Sequence, residues 1–239
     1  MTEAWPSFEP SLSALAARFG LTERQTEQLR RFAAILVSDE LAPTTVRDPV
    51  RVRDDHLADA LVALELPVIR QAGAIADLGA GAGVPGIPLA IVLPEATVSL
   101  VEGSGRKCEF MAAAAEALEL GSVEVIHGRA ETWTDGLGRF DVVTARALAP
   151  LDVVAEYAAP LLRIGGALVA WRGVREPQVE ADALRAAGIL GLSVEEPVRV
   201  QPYKEAENRH LHVMLKVSET PSRFPRRDGV ARKRPLGRA

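Results

Sequence analysis

The sequence predicts an α/β protein: a doubly wound, Rossmann-like sheet, mostly parallel with an antiparallel finish, preceded by a helical appendage. Three observations carry this. From Gly73 onward short apolar runs alternate with helix-patterned segments. The first run, Ala74-Ile75-Ala76-Asp77-Leu78, opens into the alternating glycines Gly79, Gly81 and Gly83 and then Pro85. Such a stretch reads as a buried strand, a tight turn and the first turn of a helix. The last two runs, 194–201 and 210–217, are separated by the polar loop 202–209 and read as an antiparallel pair.

In chain order, residues 1–10 contain Pro6 and Pro10 and are expected to lack regular structure. Leu12, Leu15, Ala16 and Phe19 follow helical spacing, and Gly20 is a natural stop. Thr22-x-x-Gln25 has the form of a capping box, opening a helix to about 41 with the stripe Leu29, Phe32, Ala33 and Leu36. A break at 43–49 precedes a third helix, expected from Asp54 or Asp55, with Leu57, Leu61 and Leu64 on one face. Residues 1–72 thus form the appendage, 73–217 the sheet domain and 218–239 a basic tail. Pro85 is placed at the first helical position, where a missing N–H does no harm. The second strand, 97–101, ends at Glu102, and a helix over 106–120 is closed by Gly121. Strands follow at 122–127 and 140–144. A helix over 152–162 and a Gly165-Gly166 turn lead to a strand at 167–171, and a helix covers 177–187.

The totals narrow the function classes. Of 239 residues 48% are apolar, enough for a full core, and no run is long enough to span a bilayer. The single cysteine, Cys108, excludes an internal disulfide and a zinc cluster and reads as inert; no metal is expected. The start lacks a signal-peptide pattern, so a soluble, cytoplasmic protein is expected, with no membrane or obligate protein partner. Residues 222–239 carry seven cations against one acid, a net +6 within a total of −4, leaving −10 elsewhere. That asymmetry points to a polyanionic partner; the plainer alternative is a disordered, solubilising end.

A ligand of a doubly wound sheet lies at the carboxyl ends of the strands, where Gly79, Glu102, Ala130 and Arg146 fall. Gly81-x-Gly83-x-x-Gly86 can be read as a dinucleotide fingerprint, but Asp77 stands at the mouth of that turn, where its charge would oppose a pyrophosphate. S-adenosylmethionine carries a sulfonium and an ammonium instead, and tolerates the acid. Glu102 suits the ribose hydroxyls of either cofactor.

The motif Asp77-x-Gly79-x-Gly81-x-Gly83-x-Pro85-Gly86-Ile87-Pro88-Leu89 resembles that of the small-subunit rRNA guanine-N7 methyltransferase family (RsmG, formerly GidB). Four further segments are similar to it: Thr44-Thr45-Val46-Arg47-Asp48 with His56, Gly128-Arg129-Ala130-Glu131, Thr144-Ala145-Arg146-Ala147, and Arg226-Arg227-x-Gly229-x-x-Arg232-Lys233-Arg234-Pro235-Leu236. The resemblance covers nearly the whole chain from about Leu29. It implies S-adenosylmethionine as cofactor and small-subunit rRNA, free or in a subunit particle, as partner, with methylation of the 530-loop guanine of 16S rRNA. It implies Asp77, Gly79, Gly81, Gly83 and Val84 around the methionine and ribose, Glu102 on the ribose, and Ala130 and Glu131 at the adenine. Arg146 then lies near the cofactor carboxylate and the target base. Arg47, Arg172, Arg209, Arg226, Arg227, Arg232, Lys233 and Arg234 are the RNA-facing candidates. Trp171-Arg172-Gly173 departs from the family, which usually has lysine before glycine, and arginine does not substitute freely for lysine.

Each assignment has a plainer rival. Arg146 can instead be read as an ion pair at the sheet edge, Glu131 as a solvated helix start, and His56, His127, His210 and His212 as structural. Guanine N7 bears a free lone pair, so its methylation needs no general base, and the sequence holds no catalytic dyad. Rival functions are methylation of another RNA or a small molecule, NAD-dependent redox chemistry, and a nonenzymatic RNA-binding assembly factor.

Overall fold

The computed structural model describes Trp5 and residues 8–237. Its strands are β1 (Ala74–Leu78), β2 (Thr97–Glu102), β3 (Val123–His127), β4 (Phe140–Arg146), β5 (Leu162–Arg172), β6 (Leu192–Val194), β7 (Val198–Arg199) and β8 (His210–Lys216). They form one sheet in the order β3-β2-β1-β4-β5-β8-β6, with β7 also on β8. The first five pair with one another in parallel, and β8 runs antiparallel to β5, β6 and β7. Strand order reverses between β1 and β4, the position where open α/β sheets bind ligands. Register sets the site: Leu78 lies level with Val101 and Ala145, so Gly79, Glu102 and Arg146 emerge side by side.

Strand alternation feeds two apolar layers. Ile75, Val98, Leu100, Val142 and Val169 face one side, and Ala76, Leu78, Val101, Val143 and Leu168 the other. The first side is covered by α1 (Glu9–Phe19), α2 (Glu23–Ser38), α3 (Pro49–Val52), α4 (Asp59–Leu61), α5 (Pro67–Arg70), α6 (Gly86–Val92) and α7 (Gly105–Ala117). The second side is covered by α8 (Leu151–Ala158), α9 (Pro177–Leu190) and α10 (Val230–Lys233). Leu29, Phe32, Ala33 and Leu36 of α2 have no exposed surface and join the same cluster as Ile87 and Leu100. Each large side chain so buried contributes about 1.5–3 kcal/mol. The N-terminal helices therefore share the core of the sheet instead of owning one.

Thr22 and Gln25 form the expected capping box, the Gln25 amide donating to Thr22 Oγ1 at 3.2 Å and the Thr22 amide to Gln25 Oε1 at 2.9 Å. Other boundaries move. Glu9 and Pro10 are already helical; Pro6 and residues 1–4 lie outside the described residues. The third helical stretch begins at Pro49, where Asp48 accepts from the Arg51 amide, and passes through a π-helical turn, Arg53–Ala58. Pro85 precedes α6 instead of opening it. Glu119, not Gly121, takes the left-handed conformation after α7, with φ +58°. Strand β5 runs through Gly165-Gly166, where its register against β4 shifts.

The largest departure is the tail. Residues 218–236 fold back on the second layer, burying Phe224 and Ala231. Arg226 donates from Nε to Oε1 of Glu156 at 2.6 Å, and Glu156 is 1% exposed. Arg226 is thus an internal anchor and not an RNA-facing group. Arg47 is likewise committed: it donates to the carbonyls of Leu36, Asp39 and Ala42, tying off the end of α2. Arg226→Met would strand a buried carboxylate and is expected to lower the unfolding free energy by about 3 kcal/mol. The exposed Arg227→Met should stay within about 0.5 kcal/mol of the parent. Urea midpoints measure both, and equal midpoints would contradict the anchor.

Candidate functional site

The glycine turn stands on a buried acid. Asp77 is 1% exposed; its Oδ2 accepts from the Gly86 amide at 2.9 Å and its Oδ1 from Thr144 Oγ1 at 2.9 Å. The acid expected at the mouth therefore lies beneath the crevice, joining β1, β4 and the start of α6. A Cβ on Gly86 would lie 2.2 Å from Leu100 and 2.9 Å from the Asp77 carboxylate, so only glycine permits this approach. The Ile87 amide is also used, donating to Gly83 O at 2.7 Å. The amides that would cradle a pyrophosphate are thus occupied, one by a carboxylate, which opposes the dinucleotide reading. Burial raises the Asp77 pKa to about 7, against the opposing effect of Thr144, the Gly86 amide and Arg146.

Two cavities meet above this turn. The first, about 720 Å³, is lined by Thr44, His56, Asp59, Gly79, Gly81, Val84, Arg146, Trp171, Arg172 and Arg209, among others. The second, about 450 Å³, is lined by Gly79, Glu102, Lys107, Ala130, Glu131, Leu148, Tyr157 and Arg232, among others. Gly79 and Ala147 line both. The Glu102 carboxylate accepts from the Ser104 amide at 3.0 Å and the Gly81 amide at 3.2 Å. Each oxygen retains accepting capacity for a vicinal diol. The adjoining cavities together suit an elongated ligand, with carboxylate acceptors at Glu102 on one side and a cation at Arg146 on the other.

Arg146 is held by the N-terminal helices. Its Nη1 donates to Asp55 O at 2.7 Å and to Asp59 Oδ2 at 3.0 Å, and its Nη2 lies 3.4 Å from His56 Nδ1. Asp59 is 5% exposed; its Oδ1 lies 3.3 Å from Arg209 Nε, an ion pair not aligned as a hydrogen bond. Trp171 Nε1 fixes the Asp59 carbonyl at 2.7 Å. One buried carboxylate thus spaces two arginines around the first cavity. Burial, aided by the Arg146 charge, lowers the His56 pKa. A neutral ring that accepts from Arg146 at Nδ1 donates from Nε2 to Thr44 Oγ1, 2.9 Å away. Asp55 is half-buried; burial raises its pKa, but the Tyr203 hydroxyl at 2.7 Å and Arg51 outweigh this and hold it low.

The sequence-derived residues thus divide. Gly79, Gly81, Val84, Glu102, Ala130, Glu131 and Arg146 line the crevice. Asp77 and Gly83 do not: both are buried behind the wall, with Ile87 filling the space at Gly83. Arg172 and Arg209 line the first cavity, Arg232 the second, and Arg227, Lys233 and Arg234 are exposed. Arg146 is ion-paired, as its plainer reading has it, and also borders the first cavity. Sequence reasoning missed Asp59, Asp55 and Tyr203, whose spacing carries no motif. Cys108 is buried, its thiol donating to Glu102 O at 3.3 Å. Among the described residues no group of three His, Cys, Asp or Glu is placed to hold a metal, and no helix is long and apolar enough to cross a membrane.

Comparison with known proteins gives a family. The profile described as "rRNA small subunit methyltransferase G" matches residues 25–212. The Ribosomal RNA small subunit methyltransferase G of Chloroflexus aggregans is 42% identical over 224 residues, spanning 90% of this chain and 92% of the relative. That of Rubrobacter xylanophilus is 39% identical over 222 residues, spanning 90% and 85%. Among solved structures, a SAM dependent methyltransferase from Aquifex aeolicus aligns with TM-score 0.55 at 17% identity, over 71% of this chain and 94% of that one. Aeropyrum pernix fibrillarin, with natively bound S-adenosyl-L-methionine, aligns with TM-score 0.52 at 16% identity, over 66% and 73%. These two share the fold with this chain.

Asp77 gives a signed pH prediction. Its carboxyl ionises near 4 when unfolded and near 7 when folded. Between these values the native state binds more protons, so stability falls as pH rises through the window and levels off above it. Asp77→Asn should flatten that fall by up to one proton, about 1.4 kcal/mol per pH unit. Asp77→Ala should cost about 1–3 kcal/mol through the unpaired Gly86 amide. Urea titrations from pH 4 to 8 measure both; an unchanged slope in Asp77→Asn would show that the carboxyl ionises normally.

Proposed function

The chain belongs to the rRNA small subunit methyltransferase G family, and from that premise we propose that it uses S-adenosylmethionine to methylate guanine N7 in the 530 loop of 16S rRNA. The observation that carries the reading is the pair of adjoining cavities over a turn in which Asp77 takes the Gly86 amide and Gly83 O the Ile87 amide. A helix terminus satisfied from within disfavours a pyrophosphate there and tolerates a cationic donor.

When bound, S-adenosylmethionine supplies a methyl group on a sulfonium sulfur. Glu102 holds the ribose hydroxyls, Ala130 and Glu131 border the adenine, and Gly79, Gly81 and Val84 flank the methionine. Arg146 pairs with the carboxylate, fixed in turn by Asp59. The junction at Gly79 and Ala147 directs the donor into the first cavity, whose remaining space takes the base. Arg172 and Arg209 on its wall offer donors to O6 or to flanking phosphates. The bound donor would supply its methyl group to the N7 lone pair, leaving sulfur the S–C electron pair and the base the positive charge, so this chain's residues need only orient the two. No proton moves, so alignment is the main contribution, for which about 7–11 kcal/mol is available. Neutral His56 then keeps Arg146 in place and abstracts nothing. N7 lies on the major-groove edge, closed in A-form RNA, so the target must be a loop base or one opened during assembly.

Radiolabelled methyl transfer to deproteinised rRNA and to small subunits lacking the modification, with mapping of the labelled nucleotide, tests the reading. Label is expected at a single loop guanine, on N7. Label at another atom would overturn the specificity, and binding without turnover would favour an assembly factor. Arg146→Ala, by freeing both cofactor carboxylate and base, is expected to lower kcat/KM by about 100-fold.

A further inference from the structure

The outer side of the second cavity is closed by residues more than 80 positions away from the turn they touch in the chain. Arg232, on α10, lines this cavity together with Glu102, Ala130 and Tyr157. Its Nη2 donates to Leu148 O at 3.1 Å. Leu148 belongs to the turn that divides the two cavities. Ala147, just before it, takes φ +53°, a conformation that non-glycine residues hold only when their surroundings enforce it. The Leu148 side chain lies over the first glycine: a Cβ on Gly79 would come within 2.5 Å of its Cδ1. Arg232 therefore holds the carbonyl of the residue whose side chain lies over Gly79, which lines both cavities.

Two further contacts bind the same segment to the cavity rim. Arg129 pairs with Asp228 at 2.9 Å, and the Gly229 amide donates to Glu131 Oε1 at 3.4 Å. Phe224, Ala231 and the Arg226–Glu156 pair seat the segment on the body. The packing of the segment thus places Arg232 on the exposed rim of the second cavity, while Lys233 and Arg234 are exposed and are not among its lining residues.

We propose that Arg232 is a cofactor-binding residue, its guanidinium forming the outer wall against which the adenosine of S-adenosylmethionine packs. The assignment rests on the reading of the joined cavities as the cofactor site. A planar guanidinium suits the face of a purine and can still donate to Leu148 O, which a lysine ammonium cannot reproduce. The basic segment then has two roles: Arg232 turns inward to the cofactor, and Lys233 and Arg234 remain for the RNA.

The test is calorimetric titration of adenosylhomocysteine into the full chain, without RNA, for the parent, Arg232→Ala, Arg232→Lys and Lys233→Ala. Arg232→Ala is expected to weaken binding about tenfold, Arg232→Lys nearly as much, and Lys233→Ala not at all. All four proteins are expected to melt together when ligand-free, since Arg232 is exposed. Parent-like affinity in Arg232→Ala would overturn the assignment. So would a loss of affinity matched by a lower ligand-free melting temperature in both Arg232 variants, which marks a merely structural residue. Failure of the parent itself to bind adenosylhomocysteine would instead overturn the cofactor reading of the cavities.

Discussion

Asp77 ties the end of the first strand to the amide that starts α6 and to Thr144 on the neighbouring strand, with almost no exposure to water. The crevice depends on that contact. It brings α6 close enough that Gly86 cannot carry a side chain, and this closeness fixes the path of the glycine turn above. Burial favours the protonated acid, while the helix amide, the hydroxyl and the Arg146 charge favour the ionised one, and the pKa settles at about 7. A cation bound above adds to the second group. The helix terminus that binds phosphate in dinucleotide folds is satisfied here from within.

The N-terminal helices explain themselves through Arg146. A guanidinium at the end of a parallel strand has no reason to adopt one orientation unless acceptors surround it. The π-helical turn and the residue after it supply them: the carbonyl of Asp55, the ring of His56 and the carboxylate of Asp59. Trp171 holds the same turn from β5. The helices therefore do more than cover apolar surface, since they aim a cationic group into the cavity. Asp59 also stands between Arg146 and Arg209, so two like charges can share one wall.

The basic segment shows how little a charge count says about a surface. Arg226 neutralises a buried glutamate, Arg129 pairs with Asp228, and Arg232 turns to the cavity rim. Arg47 is spent on carbonyls at the end of α2. Of the remaining candidates, Arg172 and Arg209 line the first cavity while keeping partners in Ala149 O and Asp59, and Arg227, Lys233 and Arg234 are exposed.

The alternation of strands and helices, the glycine turn, the place of Glu102 and the capping box at Thr22 were legible from the residues alone. Each depends on neighbours a few positions away: side-chain period, φ preference and short-range hydrogen bonding. The depth of Asp77, the ion pair of Arg226, and the contacts of Asp59 and Arg232 were decided by the tertiary structure. The partners in those contacts stand far apart, 87 residues between Arg146 and Asp59 and 70 between Arg226 and Glu156. An arginine in a sequence announces its charge and its capacity to donate. Which acceptors use that capacity depends on which distant segments the packed core brings within three ångströms, and no local pattern encodes that.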